Sequence, residues 1–214
     1  MLRAPGRGRY ARGVSAGDRT AAQRERLLAA TARAFVESEL SVARIVALAG
    51  VGRASFYELF DDARHALFTV RQQALMRAAR ALRDSRDLPS TRAGLEALCH
   101  VWLASVARDP HAALAALDAR MPELSPLVEL FGRALSAWVV RDDSRPRDAA
   151  PPPLALSLSV AQMVAARLAR DALTPETASA LEPVPGVAGG PEPLAVERSG
   201  RVLATALAAL LRLA

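Results

Sequence analysis

The sequence has no lysine and only one cysteine among its 214 residues. With a single thiol, Cys99, the chain cannot form an intrachain disulfide, which favours a reducing compartment. The longest apolar runs, 154–166 and 202–211, are shorter than the roughly 18 residues that a membrane span needs. The first residues are rich in arginine and glycine and lack the apolar segment of a signal peptide. These absences predict a cytoplasmic protein without a membrane partner.

The sequence also lacks the residue sets that are typical of enzymes. Its three histidines are His65, His100 and His111. Glu96 and His100 are spaced as two metal ligands on one helix would be, but no third ligand accompanies them at a telling spacing. The glycine-rich segment 186–190 follows no strand pattern and precedes no helix pattern, so it does not predict a phosphate loop. We therefore expect no catalytic activity, no metal and no cofactor.

Positive charge is concentrated in the first half of the chain. All 28 basic residues are arginines, which suggests a GC-rich coding bias before it suggests a function. Up to Arg92 the chain has 17 arginines and 9 carboxylates, a net charge of +8, whereas the remainder has a net charge of −2. A basic region of this kind favours a nucleic-acid partner. Residues 1–17 predict a disordered basic arm, which either follows DNA or is a solvated tail.

The segment from Ser41 to Phe60 predicts a helix-turn-helix; it reads SVARIVALAGVGRASFYELF. Ser41 can cap a short amphipathic helix, and Gly50 stands where a sharp turn needs a left-handed backbone. After this turn, Phe56 and Phe60 share the buried face of a second helix. The opposite face of that helix would be free to enter a major groove.

At these residues the sequence resembles the tetracycline-repressor (TetR) family of bacterial transcription regulators. Ala49-Gly50-Val51 match the family's turn, and Ser55, Phe56, Tyr57 and Phe60 match its recognition helix. The resemblance implies a dimeric regulator that binds double-stranded DNA. It also implies that Arg53 reads a base edge and that Ser55 and Tyr57 hold phosphates. Ser41 and Arg64 complete the expected DNA-binding set. Gly52, Leu59 and Ala63 depart from the family pattern.

The rest of the chain shows helical periodicity throughout, so the predicted fold class is all-α. Residues 18–83 would form a three-helix helix-turn-helix head with a connecting helix that starts after Asp61-Asp62. Residues 90–214 would form a helical bundle for ligand binding and dimerisation. Its helices are predicted at 91–108, 111–119, 125–141, 154–173 and 194–213, and the segments 142–153 and 174–193 are predicted as loops.

Large side chains in this second region suggest a site for a small apolar or amphipathic ligand. The candidate lining residues are His100, Trp102, Met121, Phe131, Trp138 and Met163. Rings and methionines at helical spacing also fit a plain hydrophobic core, and this alternative stays open. Cys99 similarly fits either a redox sensor or a buried structural thiol.

The last two predicted helices are apolar on more than one face. One stripe contains Leu156, Val160, Val164 and Leu168, and another contains Leu203, Leu207, Leu210 and Leu211. Such stripes predict a homodimer through the helices 154–173 and 194–213, with burial inside one chain as the alternative.

The sequence thus predicts a ligand-responsive transcriptional regulator that binds a near-palindromic operator as a dimer, with repression as the commoner mode in the resembling family. Two alternatives remain. One is a DNA-associated protein without a preferred operator, and the other is a helical ligand-binding protein whose head has lost operator binding.

Overall fold

The computed structural model describes residues 16–118, 126–140, 154–173 and 193–211, and every regular element in these ranges is a helix. The all-α prediction is therefore confirmed. The elements are α1 (Ala16–Val36), α2 (Val42–Ala49), α3 (Arg53–Tyr57), α4 (Ala63–Arg83), α5 (Arg92–Ala107), α6 (Pro110–Ala116), α7 (Pro126–Val140), α8 (Leu154–Asp171) and α9 (Pro193–Leu211). We call α1–α4 the head helices and α5–α9 the body helices.

Three of the predicted helix bounds need correction. Helix α3 ends at Tyr57, so Phe60, predicted on the same face of that helix as Phe56, lies beyond its end. Helix α1 begins at Ala16, two residues before the predicted start at Asp18, which lies in its first turn. Of the predicted basic arm, residues 1–15 lie outside the described part of the chain. Helix α6 runs from Pro110 to Ala116 rather than from 111 to 119, because Asp109 caps it with Pro110 at its first position.

Short polar side chains set the starts of several helices. The Ser41 hydroxyl accepts a hydrogen bond from the Arg44 N–H at 3.2 Å, as its position predicts. Asp62 accepts from the His65 N–H at 2.7 Å, so that α4 begins where the acidic pair predicts. Each contact satisfies a backbone donor that a helix start would otherwise leave unpaired.

The head helices enclose the aromatic side chains of the predicted helix-turn-helix. Helix α1 packs against α2 and α4. Leu27 of α1, Ile45 of α2 and Phe56 of α3 are completely buried, and Phe60 is 2% exposed. The rings of Phe56 and Phe60 are in contact, with their centroids 5.6 Å apart. This packing holds α3 by one face only.

The body helices surround α5, which packs against α4, α6, α8 and α9. Its side chains Leu95, Trp102 and Leu103 are completely buried. Helix α4 extends from the head helices into this bundle and also contacts α6 and α7. Since α1 contacts α6 as well, one continuous hydrophobic core joins the two sets of helices.

The apolar stripes predicted for dimerisation are largely used inside the chain. Leu168 is 3% exposed, and Leu203 and Leu207 are completely buried, because α8 and α9 pack against each other and against α5. For these three residues burial within one chain is correct, and a partner cannot reach them. Val160 and Val164 are half-buried, while the side chains of Leu156, Leu210 and Leu211 lie outside the described set.

Within the described ranges, no helix combines the length and the hydropathy that crossing a membrane requires.

Candidate nucleic-acid interface

Helix α3 presents two chemically different faces. Phe56 is completely buried, whereas its neighbour Tyr57 is 57% exposed, and their rings meet edge to face with centroids 5.5 Å apart. Arg53 is exposed on the outer side and Ser55 is half-buried. The buried ring fixes the helix while the arginine and the tyrosine project into solvent. An outward face with these groups can meet both base edges and phosphates.

The turn between α2 and α3 has the predicted left-handed geometry. Gly50 has φ 64° and ψ 39°, and its N–H donates to the Val46 carbonyl. Val51, which follows it, is partly buried against the core. Gly52 then begins α3 in an extended conformation without a side-chain cap. The turn therefore aims α3 away from α2 while Val51 anchors the connection.

Some arginines of the head helices are neutralised by carboxylates, whereas the two that are predicted to contact DNA are not. The Arg44 guanidinium pairs with Glu37 at 2.7 Å and with Glu39 at 3.0 Å, and Arg33 pairs with Glu37 at 2.7 Å. Arg53 and Arg64 are exposed, and no carboxylate of the described residues lies within ion-pair distance of either. Among the arginines predicted to contact DNA, Arg53 on α3 and Arg64 at the start of α4 thus both keep an uncompensated positive charge.

The ion pairs of Glu37 affect its titration. Hydrogen bonds from Arg33, and then from Arg44, lower the pKa of the Glu37 carboxyl because they stabilise its charged form. Glu37 stays ionised at neutral pH and joins the end of α1 to α2. Neither arginine that it engages is among the residues predicted to contact DNA. The spacing of four residues between Arg33 and Glu37 is typical of a helical ion pair, whereas the pairing with Arg44 depends on how α1 and α2 pack.

Ser41 and the first turn of α4 complete this surface. The Ser41 oxygen accepts the cap hydrogen bond from Arg44, and its own O–H can still donate to a phosphate. At α4, the Asp61 N–H donates to His65 Nδ1 at 3.2 Å, and the His65 ring packs edge to face on Phe60. These contacts position Arg64, which stands next to His65 on the exposed side of the helix.

The candidate ligand residues do not gather around one cavity. Trp102 and Phe131 are completely buried and stacked, with ring centroids 4.5 Å apart. Trp138 is 1% exposed, and its indole N–H donates to the Pro89 carbonyl at 2.9 Å. His100 lies on the exposed side of α5 and Met163 is 65% exposed. Met121 lies outside the described residues.

One feature of the buried rings is chemically incomplete. The indole N–H of Trp102 is buried and has no hydrogen-bond partner among the described residues. Buried donors are normally satisfied by protein or ordered water. Trp102 therefore keeps an unused donor inside the body helices.

A cleft of about 810 Å³ lies elsewhere, between α1, α6 and α8. Of the candidate ligand residues that the structure describes, Met163 is the one that lines it. The lining consists of Phe35, Val36, Leu114, Leu117, Asp118, Ser159, Gln162, Met163, Ala166 and Arg170. The other nine lining residues could not be predicted from the sequence, because they come from three distant helices and match no motif. The mixed face of α8 at positions 159, 162, 163, 166 and 170 is their only local signal.

Cys99 and the acidic side chains offer no obvious chemistry. Burial, together with the nearby Glu96 charge, raises the pKa of the Cys99 thiol to about 12, which leaves the thiol protonated and unreactive at neutral pH. This agrees with the structural-thiol alternative. Glu96 itself is hydrogen-bonded to Arg92 at 3.2 Å, and the described residues contain no group of three metal-ligating side chains.

Comparisons with known proteins bear on the fold. No protein-family model and no curated protein matches the sequence. Among solved structures, the probable transcriptional regulatory protein RHA5900 is similar with a TM-score of 0.53 and 24% identity over 89% of this chain and 98% of its own. The fatty acid degradation regulator FadR from Bacillus halodurans is similar with a TM-score of 0.51 and 15% identity, over 86% of this chain and 96% of its own.

The chain has the fold of these regulators. At these levels of identity, the similarity shows the architecture and leaves the function to the residues of the site. In this fold, the exposed face of α3 and the start of α4 carry Arg53 and Arg64, and the cleft is lined by residues of α1, α6 and α8.

Proposed function

We propose that the chain is a DNA-binding transcriptional regulator of the TetR type, which works in the cytoplasm as a ligand-responsive repressor and binds a near-palindromic operator as a homodimer. The observation that carries this proposal is the division of α3, whose Phe56 is buried while Arg53 and Tyr57 face solvent. Two proteins with similar solved structures are named as regulators, which supports the same function.

Each head residue has a role that follows from its chemistry. Arg53 reads a base edge, since a guanidinium can bond bidentately to guanine O6 and N7. Ser55, Tyr57 and Ser41 donate hydroxyl hydrogen bonds to phosphates, and Arg64 neutralises a phosphate next to them. Phosphate contacts of this kind set affinity and register, whereas Arg53 sets sequence preference.

The dimer uses what remains exposed on the last two helices. Val202 of α9 is 58% exposed and Leu194 is 62% exposed, and Val160 and Val164 of α8 are half-buried. Two copies joined across these helices would present two α3 helices to half-sites about one turn of DNA apart or slightly more. A ligand that favours a different spacing of the two heads would release the operator.

The experiment that tests this function is fluorescence anisotropy with a labelled duplex from the intergenic DNA beside the protein's own gene. Unlabelled unrelated duplex serves as competitor, and the titration is repeated at two salt concentrations because phosphate contacts make affinity salt-dependent. We expect binding that survives the competitor. Equal competition by any duplex would favour the non-specific alternative, and no binding at either salt concentration would favour a ligand-binding protein with an inactive head.

Two substitutions separate the predicted roles. Arg53→Ala should weaken binding to the operator by about tenfold or more while it changes binding to unrelated duplex little, because a bidentate base contact is worth about 1–3 kcal/mol. Tyr57→Phe removes a hydroxyl alone and should weaken both complexes by a similar factor. The measurement is the ratio of the two dissociation constants for each variant. An unchanged ratio in Arg53→Ala would contradict base reading by this residue.

A further inference from the structure

The cleft between α1, α6 and α8 is placed where an occupant would touch head and body helices together. Phe35 and Val36 belong to the last turn of α1, Leu117 follows α6, and Met163 and Arg170 belong to α8. A volume of about 810 Å³ lies within the range of small-molecule sites. The cleft is separate from the buried ring cluster of Trp102 and Phe131.

The lining combines an apolar wall with one uncompensated cation. Six of its ten residues are apolar, including Phe35, Leu114 and Leu117. Among the described lining residues the one carboxylate, Asp118, is paired with Arg71 at 3.2 Å. Arg170 is exposed in the last turn of α8, and no ion pair engages it among the described residues.

Gln162 adds a polar group between the wall and the cation. Its amide nitrogen donates weakly to the Leu117 carbonyl at 3.4 Å, so a second N–H of the same amide remains available. The guanidinium of Arg170 suits a carboxylate or another singly charged anion, because hydrogen bonds to a charged partner are the stronger kind. The amide of Gln162 is a further donor in the lining.

We propose that this cleft binds an amphipathic anion, whose charged group meets Arg170 while its apolar part covers Phe35, Leu114 and Leu117. The proposal of a binding site depends on the cleft alone. Its regulatory consequence rests on the proposed function, because it requires the head to bind DNA.

A chain of contacts connects the cleft to α4, the helix that carries Arg64 at its start. Arg71 of α4 binds Asp118 and also donates to the Ala115 carbonyl at 2.8 Å. Its guanidinium lies 5.4 Å from the centre of the Phe35 ring. An occupant that presses on Phe35 or draws on Asp118 would therefore change two of the three contacts that hold Arg71. Arg71 is a positioning residue for the head in this scheme.

The test uses three probes with the same tail: dodecanoate, 1-dodecanol and dodecyltrimethylammonium. The two ions are kept below their micelle concentrations and the alcohol below its solubility limit. Titration calorimetry of the full chain without DNA measures their binding. We expect dodecanoate to bind best. Arg170→Ala should weaken it by about tenfold, as expected for the loss of one charge-assisted contact. Arg167→Ala is the matched control, because Arg167 is 83% exposed on the same helix, pairs with Asp171 and does not line the cleft.

Two further variants locate the site. Met163→Glu places a like charge at the rim, on a side chain that is already 65% exposed, and should abolish dodecanoate binding without unfolding the chain. Trp102→Phe should leave it unchanged. Loss of binding in Trp102→Phe with full binding in Arg170→Ala and Met163→Glu would overturn the proposal in favour of a site inside the body helices. Equal binding of all three probes would overturn the anion preference, and no binding of dodecanoate would overturn the proposal as a whole.

The regulatory consequence has its own measurement. If the cleft and the head are coupled, dodecanoate should weaken binding of the operator duplex in wild type, and Arg71→Ala should reduce this effect while calorimetric binding persists. Calorimetry without DNA isolates the cleft, and anisotropy without dodecanoate isolates DNA binding, so failure of one proposal is distinguishable from failure of the other. Binding of dodecanoate with no effect on an intact DNA complex would overturn the coupling alone.

Discussion

At the scale of single residues, Trp138 secures the segment between α4 and α5. Its indole N–H donates to the Pro89 carbonyl at 2.9 Å, and its own carbonyl accepts from the Ser90 hydroxyl at 3.0 Å. Gly94 lies close to the backbone of Pro89, and a Cβ built on Gly94 would be 1.9 Å from the Pro89 carbonyl oxygen. One side chain thus joins the end of α7 to the start of α5. Trp102, although equally buried, has no such hydrogen bond among the described residues.

The same substitution at the two tryptophans isolates the contribution of the Trp138–Pro89 hydrogen bond to stability. Trp138→Phe and Trp102→Phe remove the same atoms from buried sites, but only the first removes a hydrogen bond seen in the structure. We expect Trp138→Phe to lower the free energy of unfolding by about 1 kcal/mol more than Trp102→Phe does, the usual net worth of such a bond. Urea unfolding followed by circular dichroism measures both. An equal loss would mean that the Pro89 contact contributes nothing to stability.

At the scale of elements, the turn between α2 and α3 depends on one backbone conformation. A Cβ added to Gly50 or to Gly52 would meet no atom within 4 Å. The two glycines differ in backbone geometry, since Gly50 has φ 64° and Gly52 has φ −76°. Only Gly50 requires the left-handed region, which costs other residues roughly 1–2 kcal/mol.

The same substitution at both glycines tests this difference. Gly50→Ser should lower the free energy of unfolding by about 1 kcal/mol or more. Gly52→Ser should raise it by a few tenths, because serine at the start of α3 supplies the missing side-chain cap. Thermal and urea unfolding of the two variants show directly whether each substitution raises or lowers the free energy of unfolding. Destabilisation by Gly52→Ser of the same size as that by Gly50→Ser would contradict the argument from backbone geometry.

At the scale of the whole molecule, the exposed apolar side chains indicate where a second copy would bind. Val202 is 58% exposed on α9, and Phe68 is 59% exposed on α4. Their exposure is nearly equal, but only Val202 lies on a helix of the proposed dimer. The described leucines of the predicted stripes on these helices, Leu168, Leu203 and Leu207, are buried in the core. We therefore expect an interface to use outer positions of these helices.

A charge at each position separates the two surfaces. Val202→Glu should convert the dimer into a monomer in sedimentation velocity at a fixed concentration, because an unpaired carboxylate in an apolar interface is costly to desolvate. Phe68→Glu should leave the dimer intact. Monomers with both variants and with wild type, or a dimer unaffected by Val202→Glu, would each contradict the proposed interface.

The features that could be predicted from the sequence alone are local ones. The caps at Ser41 and Asp62, the left-handed Gly50 and the buried face of Phe56 and Phe60 each depend on residues within a few positions of one another. Helical periodicity acts over the same range, so the all-α class and most helix bounds could be predicted.

Contacts between side chains that are distant in sequence depend on how the helices pack, and they could not be predicted from the sequence. Trp102 and Trp138 could have lined a cavity or filled a core, and the packing around α5 places them in the core. The cleft joins Phe35, Leu117 and Arg170, which are far apart in the chain. No periodicity relates such positions, because their proximity follows from how α1, α6 and α8 pack and not from the spacing of residues within any one helix.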